Sequence, residues 1–179
     1  MPAQNPLIEM QAVDFCYSDG GVRLSKEALS VKRGELAVVA GVNGSGKTTL
    51  LKHFNGLLLP VSGRVLVDGR ETHRATEAVR RMVGMVFQHA DAQIVGETVY
   101  DDVAFGPENL RLAREKVAGR VEAALAAVGL ADKHDQRPHL LSGGEKRRLT
   151  IAGVLAMAPE VVVFDEPFAS LDLDGVRQV

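Results

Sequence analysis

Apolar and polar positions alternate loosely from Leu7 to Tyr17, which predicts a strand, and Ser18-Asp19-Gly20-Gly21 predicts the turn that ends it. Glu27 to Val31 reads as a return strand, followed by a tight turn at Lys32-Arg33-Gly34-Glu35. The apolar run Leu36 to Ala40 predicts a buried strand, which leads through a glycine-rich turn, Gly41 to Gly46, into a helix opening at Lys47. Gly56 to Pro60 ends that helix. Gly63 to Asp68 predicts another strand, Thr76 to Met82 a short helix, and Val83 to Phe87 a buried strand that stops at the polar Gln88. Residues 89 to 150 carry no strand pattern. Between Arg114 and Val128 the apolar positions Val117, Val121, Ala124, Leu125 and Val128 share one helical face, with Gly129 placed to terminate it. Leu141 to Glu145 precedes a helix running to about Met157, and a second apolar run, Val161 to Phe164, closes on Asp165, Glu166 and the strand-breaking Pro167. The pattern is α/β. It predicts one domain over 1–179, with a parallel core from 1–88 and 158–179, an N-terminal antiparallel β subdomain, and a helical subdomain inserted over 89–157.

Composition narrows the partners. With 179 residues the chain is long enough for one domain with a sizeable core. Its 21 basic and 23 acidic side chains give a net charge of -2, without the basic excess of a nucleic-acid-binding surface, so no nucleic-acid partner is expected. Cys16 is the only cysteine, which rules out an intrachain disulfide, and its place in an apolar strand predicts a buried small side chain. No apolar run approaches the ~20 residues that span a bilayer, and Met1 to Pro6 lacks signal-peptide features. The expectation is a cytoplasmic chain able to dock onto a membrane protein. His134 and His139 lie five apart with no cysteine beside them, which argues against a metal site there.

The chemistry is concentrated at four places. Gly41, Gly44, Gly46, Lys47 and Thr48 fit G-x-x-x-x-G-K-[ST], a phosphate-binding loop. Glycines let backbone N–H groups converge on phosphate oxygens, and the helix start adds unpaired N–H groups and partial positive charge. Lys47 has the reach for the β- and γ-phosphates, and the Thr48 hydroxyl is a Mg²⁺ ligand type. Gln88, at the carboxyl end of a core strand, is either a turn residue or a ligand to Mg²⁺ or water, since ligands gather at such strand ends. Ser142 with Glu145 fits the S-x-x-E capping box, and Gly143-Gly144 beside it offers a second anion site at a helix start. The basic run Lys146-Arg147-Arg148 reads as a solvated face. Asp165 and Glu166 end a buried strand, where carboxylates are costly unless paired or holding a metal. Asp165 is the candidate Mg²⁺ ligand, and Glu166 the candidate base for an attacking water. Tyr17 is either a strand aromatic packed on its sheet or a platform for a purine ring. Asp91, Glu97, Asp101 and Asp102 are either helix-start acids or contacts for a partner.

Taken together these stretches resemble the ATP-binding-cassette ATPases, from Leu7 to Asp174. The most specific part is Leu141-Ser142-Gly143-Gly144-Glu145, similar to the family's signature with Glu145 in place of the usual Gln. The resemblance implies a P-loop NTPase with a RecA-type core and ATP and Mg²⁺ as cofactors. It also implies a head-to-tail dimer, in which Ser142 to Gly144 of one subunit meet the γ-phosphate bound by a second ATPase subunit. Asn43, Ser45 and Thr49 complete the implied nucleotide contacts, Tyr17 matches the adenine-stacking aromatic, Gln88 the Q-loop, and Ser170-Leu171-Asp172 the D-loop. The run from Gly84 to Asn109 more closely resembles the ATPase component of energy-coupling-factor importers, particularly for cobalt and nickel. That implies a membrane coupling protein and a substrate-binding membrane subunit as partners, a place on the inner face of the membrane, and a docking groove near the acidic cluster. The family continues beyond the D-loop with a further core strand and a switch histidine. No histidine follows His139 here, so the C-terminal core strand and switch region are expected to be missing and residues 1–179 alone to be poorly stable. An inactive nucleotide-binding fragment and a non-transport cassette ATPase stand as alternatives.

Overall fold

Alternation in β1 (Ile8–Cys16) buries Ile8, Met10 and Val13. The computed structural model describes residues 6–21 and 23–167, in two units divided between Val83 and Gly84. In the first unit β1 pairs antiparallel with β2 (Arg23–Val31), Ile8 opposite Val31. After α1 (Lys47–Phe54), β3 (Ser62–Val67) pairs antiparallel with the other side of β1, and β4 (Arg70–Glu71) folds back on β3. The sheet order is β2-β1-β3-β4. This is the antiparallel subdomain the pattern predicts, but β2 begins four residues before Glu27. Only Leu24 of its nine residues is buried. An edge strand held by backbone pairing shows little apolar pattern.

Two local expectations fail here. Leu36 to Ala40 is not a strand: Leu36 is 90% and Val38 82% exposed, and among the described residues no strand pairs with this run. Extended backbone becomes a strand only when a neighbour takes its N–H and C=O groups. Cys16 is exposed rather than buried. Ala12 takes a left-handed conformation (φ 48°), and the pairing of β1 with β2 shifts register between Met10 and Val13 and again before Phe15. The first shift has its extra residue in β1 and turns the following β1 side chains, Cys16 included, to the other face; the second has its extra residue in β2.

α1 buries Thr49, His53 and Phe54, and α2 (Thr76–Met82) buries Val79 and Met82. His53 is fully buried. Its Nδ1 donates to the Thr49 carbonyl at 2.7 Å and its ring stands edge-on to Phe15, while Nε2 has no partner. Burial pushes its pKa below the ordinary value, against the pull of the Thr49 bond.

The second sheet pairs β5 (Val83–Val86), buried throughout, with the parallel β6 (Val161–Phe164). The Asp165 N–H extends this ladder, donating to the Val86 carbonyl at 2.9 Å. Among the described residues the second unit also holds three α-helices: α3 (Val99–Asn109), α4 (Arg114–Ala127) and α5 (Gly143–Ala156). They enclose a core of Val99, Val103, Val117, Val121, Leu125, Leu130 and Leu149. Arg120 on α4 donates to the Ala156 and Met157 carbonyls, satisfying the C-terminal end of α5.

The acidic cluster is used locally. Thr98 and Asp101 form a reciprocal capping box at the start of α3. Buried Asp102 accepts from the Val95 and Gly96 N–H groups at 2.7 and 3.0 Å. Position 96 must be glycine for this approach, since a Cβ there would stand 2.2 Å from the Asp102 nitrogen. Asp91 pairs with Lys146 at 2.7 Å, and Glu97 is exposed.

Candidate functional site

In the first unit the loop from Gly41 to Gly46 is an open turn. Gly44 and Gly46 adopt φ of 80° and 94°, conformations that side chains with a Cβ resist. Gly46 is the N-cap of α1 and supplies no side-chain cap, so the helix start keeps N–H donors for an anion. The Ser45 N–H closes the turn onto the Val42 carbonyl at 3.2 Å, and Asn43 and Ser45 are exposed on it. The Lys47 ammonium folds back over the loop, donating to the Gly41 and Val42 carbonyls at 2.9 and 3.1 Å. A phosphate oxygen is a stronger acceptor than either, so this cation is held where an incoming phosphate would draw it away. Thr48 is half-buried and Thr49 buried. The Tyr17 hydroxyl lies 3.4 Å from the Thr49 hydroxyl, and its ring stands edge-on to Phe15 with centroids 4.9 Å apart. Tyr17 thus packs against Phe15 and reaches the Thr49 side chain of α1.

In the second unit β5 and β6 deliver Gln88, Asp165 and Glu166 side by side. The Gln88 amide donates to the Glu166 carboxylate at 2.9 Å, and both residues are exposed. Asp165 is only 3% exposed. Glu166 sits at φ 49°, a conformation that costs a non-glycine residue about 1–3 kcal/mol and is kept where surroundings over-determine it. The amide, carboxylate and hydroxyl oxygens of Gln88, Asp165 and Thr48 are hard donors that suit Mg²⁺ chemically.

Ser142 and Glu145 form the capping box that opens α5, the Ser142 hydroxyl accepting from the Glu145 N–H and the Glu145 carboxylate from the Ser142 N–H. Gly143 and Gly144 make its first turn without Cβ cover. A partner that sequence reading missed is Lys133, whose ammonium forms an ion pair with Glu145. That pair, helped by the Ser142 N–H, holds the Glu145 carboxyl down to a pKa of about 2. The negative charge introduced at position 145 is thus matched within its own subunit. Arg147, expected on a solvated face, is 3% exposed and donates to five main-chain carbonyls. Its signal was available, because Arg147, Thr150, Ile151 and Val154 recur at helical spacing and all four are buried. His134 pairs with Asp135 and leans on Tyr100. Among the described residues no group of His, Cys, Asp and Glu is arranged to hold a metal by itself. Asp172, with the rest of the expected D-loop, lies outside the described residues.

The model of one protein family, described as ABC transporter, matches residues 24–169. The chain belongs to the ABC transporter family. Among its relatives is the energy-coupling factor transporter ATP-binding protein EcfA1 of Symbiobacterium thermophilum, 49% identical over 98% of this chain and 64% of its own length. The cobalt import ATP-binding protein CbiO of Rhodobacter capsulatus is 46% identical over 97% and 63%. CbiO1 of Clostridium perfringens, described as part of the ABC transporter complex cbiONQ, has a solved structure that superposes with a TM-score of 0.85 at 38% identity. It covers 97% of this chain and 70% of that one. The chain therefore has the P-loop NTPase fold of the ABC transporter family and spans a little under two thirds of the length of these two relatives. No helix among the described residues is long and apolar enough to cross a membrane.

Proposed function

We propose that this chain is the ATP-binding and ATP-hydrolysing part of an importer's motor subunit, of the energy-coupling-factor type, serving uptake of cobalt or nickel ions or a vitamin. The observation that carries the catalytic reading is the Gln88–Glu166 hydrogen bond at the ends of β5 and β6, with Asp165 buried beside it. Residues 1–88 and 158–179 form the ATP-binding core in this reading, and 89–157 the helical subdomain. Tyr17 stacks the adenine, and the loop from Gly41 to Thr49 takes the phosphates. Ser142 to Glu145 face the nucleotide of a second ATPase subunit. Thr48, Gln88 and Asp165 would hold Mg²⁺, which would supply charge withdrawal from the phosphate oxygens. Glu166 accepts a proton from water as the water oxygen bonds to the γ-phosphorus and the ADP oxygen departs; Gln88 fixes the direction of that carboxylate. A membrane coupling protein and a substrate-binding membrane subunit complete the assembly, which places the chain on the inner face of the membrane.

The test is Glu166→Gln in the full-length protein. Turnover of MgATP falls by ~10²–10⁴, typical of losing a general base, while nucleotide binding persists. Parent-like turnover would remove Glu166 from the mechanism. The transport assignment is checked separately, by co-purification with the membrane coupling protein.

A further inference from the structure

α5 starts with the signature residues and, one turn in, buries an arginine whose every donor is used. Arg147 Nε donates to the Pro167 carbonyl at 3.2 Å, and Nη1 to the carbonyls of Phe87 and, at 3.3 Å, Gln88. Nη2 donates to the carbonyls of Asp165 and Glu166 at 3.3 and 3.2 Å. The guanidinium has five N–H groups in a rigid plane, and here five main-chain oxygens meet them. Two belong to the chain leaving β5 and three to the chain leaving β6.

We propose that Arg147 is the positioning residue for hydrolysis: its guanidinium fixes the backbones of Gln88 and Glu166 so that the amide and the carboxylate meet in one geometry. The inference rests on the catalytic reading given above. Glu166 needs such a brace, because its left-handed backbone is not self-supporting and its side chain is exposed, so that little else holds it. The requirement is for a planar fork. A lysine has three donors on one atom and cannot span two chain ends, although its charge is the same. Burial lowers the pKa of this arginine, and the neighbouring Asp165 carboxylate opposes that shift, so the cation is retained inside the unit. Because Arg147 lies two residues beyond Glu145, the same rigid helix carries both the signature residues and the brace on this subunit's own base. An arginine serving only as filler would not need five carbonyls at the two strand ends that bear the reactive side chains.

The experiment compares Arg147→Lys with the parent in the full-length dimeric ATPase. The expected result is kcat lower by ~10²-fold, the penalty of an ångström-scale misplacement, with KM for MgATP within about threefold. A double-mutant cycle with Gln88→Ala supplies the second readout: the loss caused by Gln88→Ala shrinks in the Arg147→Lys background, because the amide is already out of place. If Arg147→Lys does not fold, Arg147→Gln, neutral and without the cost of a buried charge, carries the same two measurements. Parent-like kcat, or losses that add in full, would overturn the proposal. So would a fall in kcat accompanied by a matching rise in KM and a collapse of thermal stability. Glu166→Gln run alongside separates the two inferences. If it keeps parent turnover, the catalytic reading has failed; if it loses turnover while Arg147→Lys does not, only the brace has failed.

Discussion

Two apolar runs in this chain, Leu36 to Ala40 and Val161 to Phe164, look alike in sequence, and each leads into candidate chemistry, the glycine-rich loop in the first unit and the Asp165–Glu166 pair in the second. One is a strand. It pairs with β5, buries Val163 and hands Asp165 a backbone partner at Val86. The other pairs with no strand among the described residues and leaves Leu36, Val38 and Val39 exposed. The difference teaches that an apolar run encodes only the demand for a neighbour, and the neighbour itself is encoded elsewhere. The chemistry past each run does not follow the strand. The turn from Gly41 to Gly46 forms its left-handed glycines and folds Lys47 over its carbonyls without a paired strand behind it.

The sharpest way to break the contrast is hydrogen exchange on the 179-residue chain. The Val163 and Asp165 amides, inside or extending a ladder, should exchange slower than those of Leu36 to Ala40 by ~10³-fold or more, the protection that ~5 kcal/mol of local stability gives. Equal protection would show that the first run has found a partner. A smaller effect sharpens the comparison of the two ends. Lys47→Ala removes the cation at the first run's exit and should weaken MgATP binding by ~10²-fold, on the scale of one or two charge-assisted hydrogen bonds. Glu166→Gln, at the other exit, should leave binding nearly unchanged. Titration of both variants with a fluorescent ATP analogue decides this, and equal losses would erase the distinction.

The smallest effect separates the units by pH. His53 is held neutral by burial, its folded pKa below the ordinary 6.5, so its contribution to the first unit is present above 6.5 and lost as pH falls through the lowered pKa. Glu145 has the opposite charge type but the same direction of shift. Its contribution to the second unit is present above 4.5 and lost only as pH falls towards about 2. On acidification the first unit should therefore loosen before the second, read by local hydrogen exchange. His53→Gln, which keeps a donor for the Thr49 carbonyl, should abolish the earlier step.

Features written within a few residues were legible in the sequence. Gly41 to Thr48, the Ser142–Glu145 box and the apolar face of α4 depend on neighbours one turn away, and all three form as their spacing predicts. The Thr98–Asp101 box was equally local: Asp101 reads as a helix-start acid, and Thr98 three residues before it completes the box. Arg147 and Lys133 were not legible as partners. Their acceptors lie 12 to 60 residues away, and which carbonyls are left over at two strand ends is decided by the assembled sheet. The face of Cys16 was lost to the register shift in β1, which no alternation rule anticipates.

That misplaced cysteine has a practical yield. As the sole thiol of the chain, exposed at the end of β1 and adjacent to Tyr17, it accepts a maleimide dye at one defined position without any engineered substitution. A label there stands one residue from Tyr17, the aromatic proposed above to stack adenine, and on that proposal it would report nucleotide arrival optically.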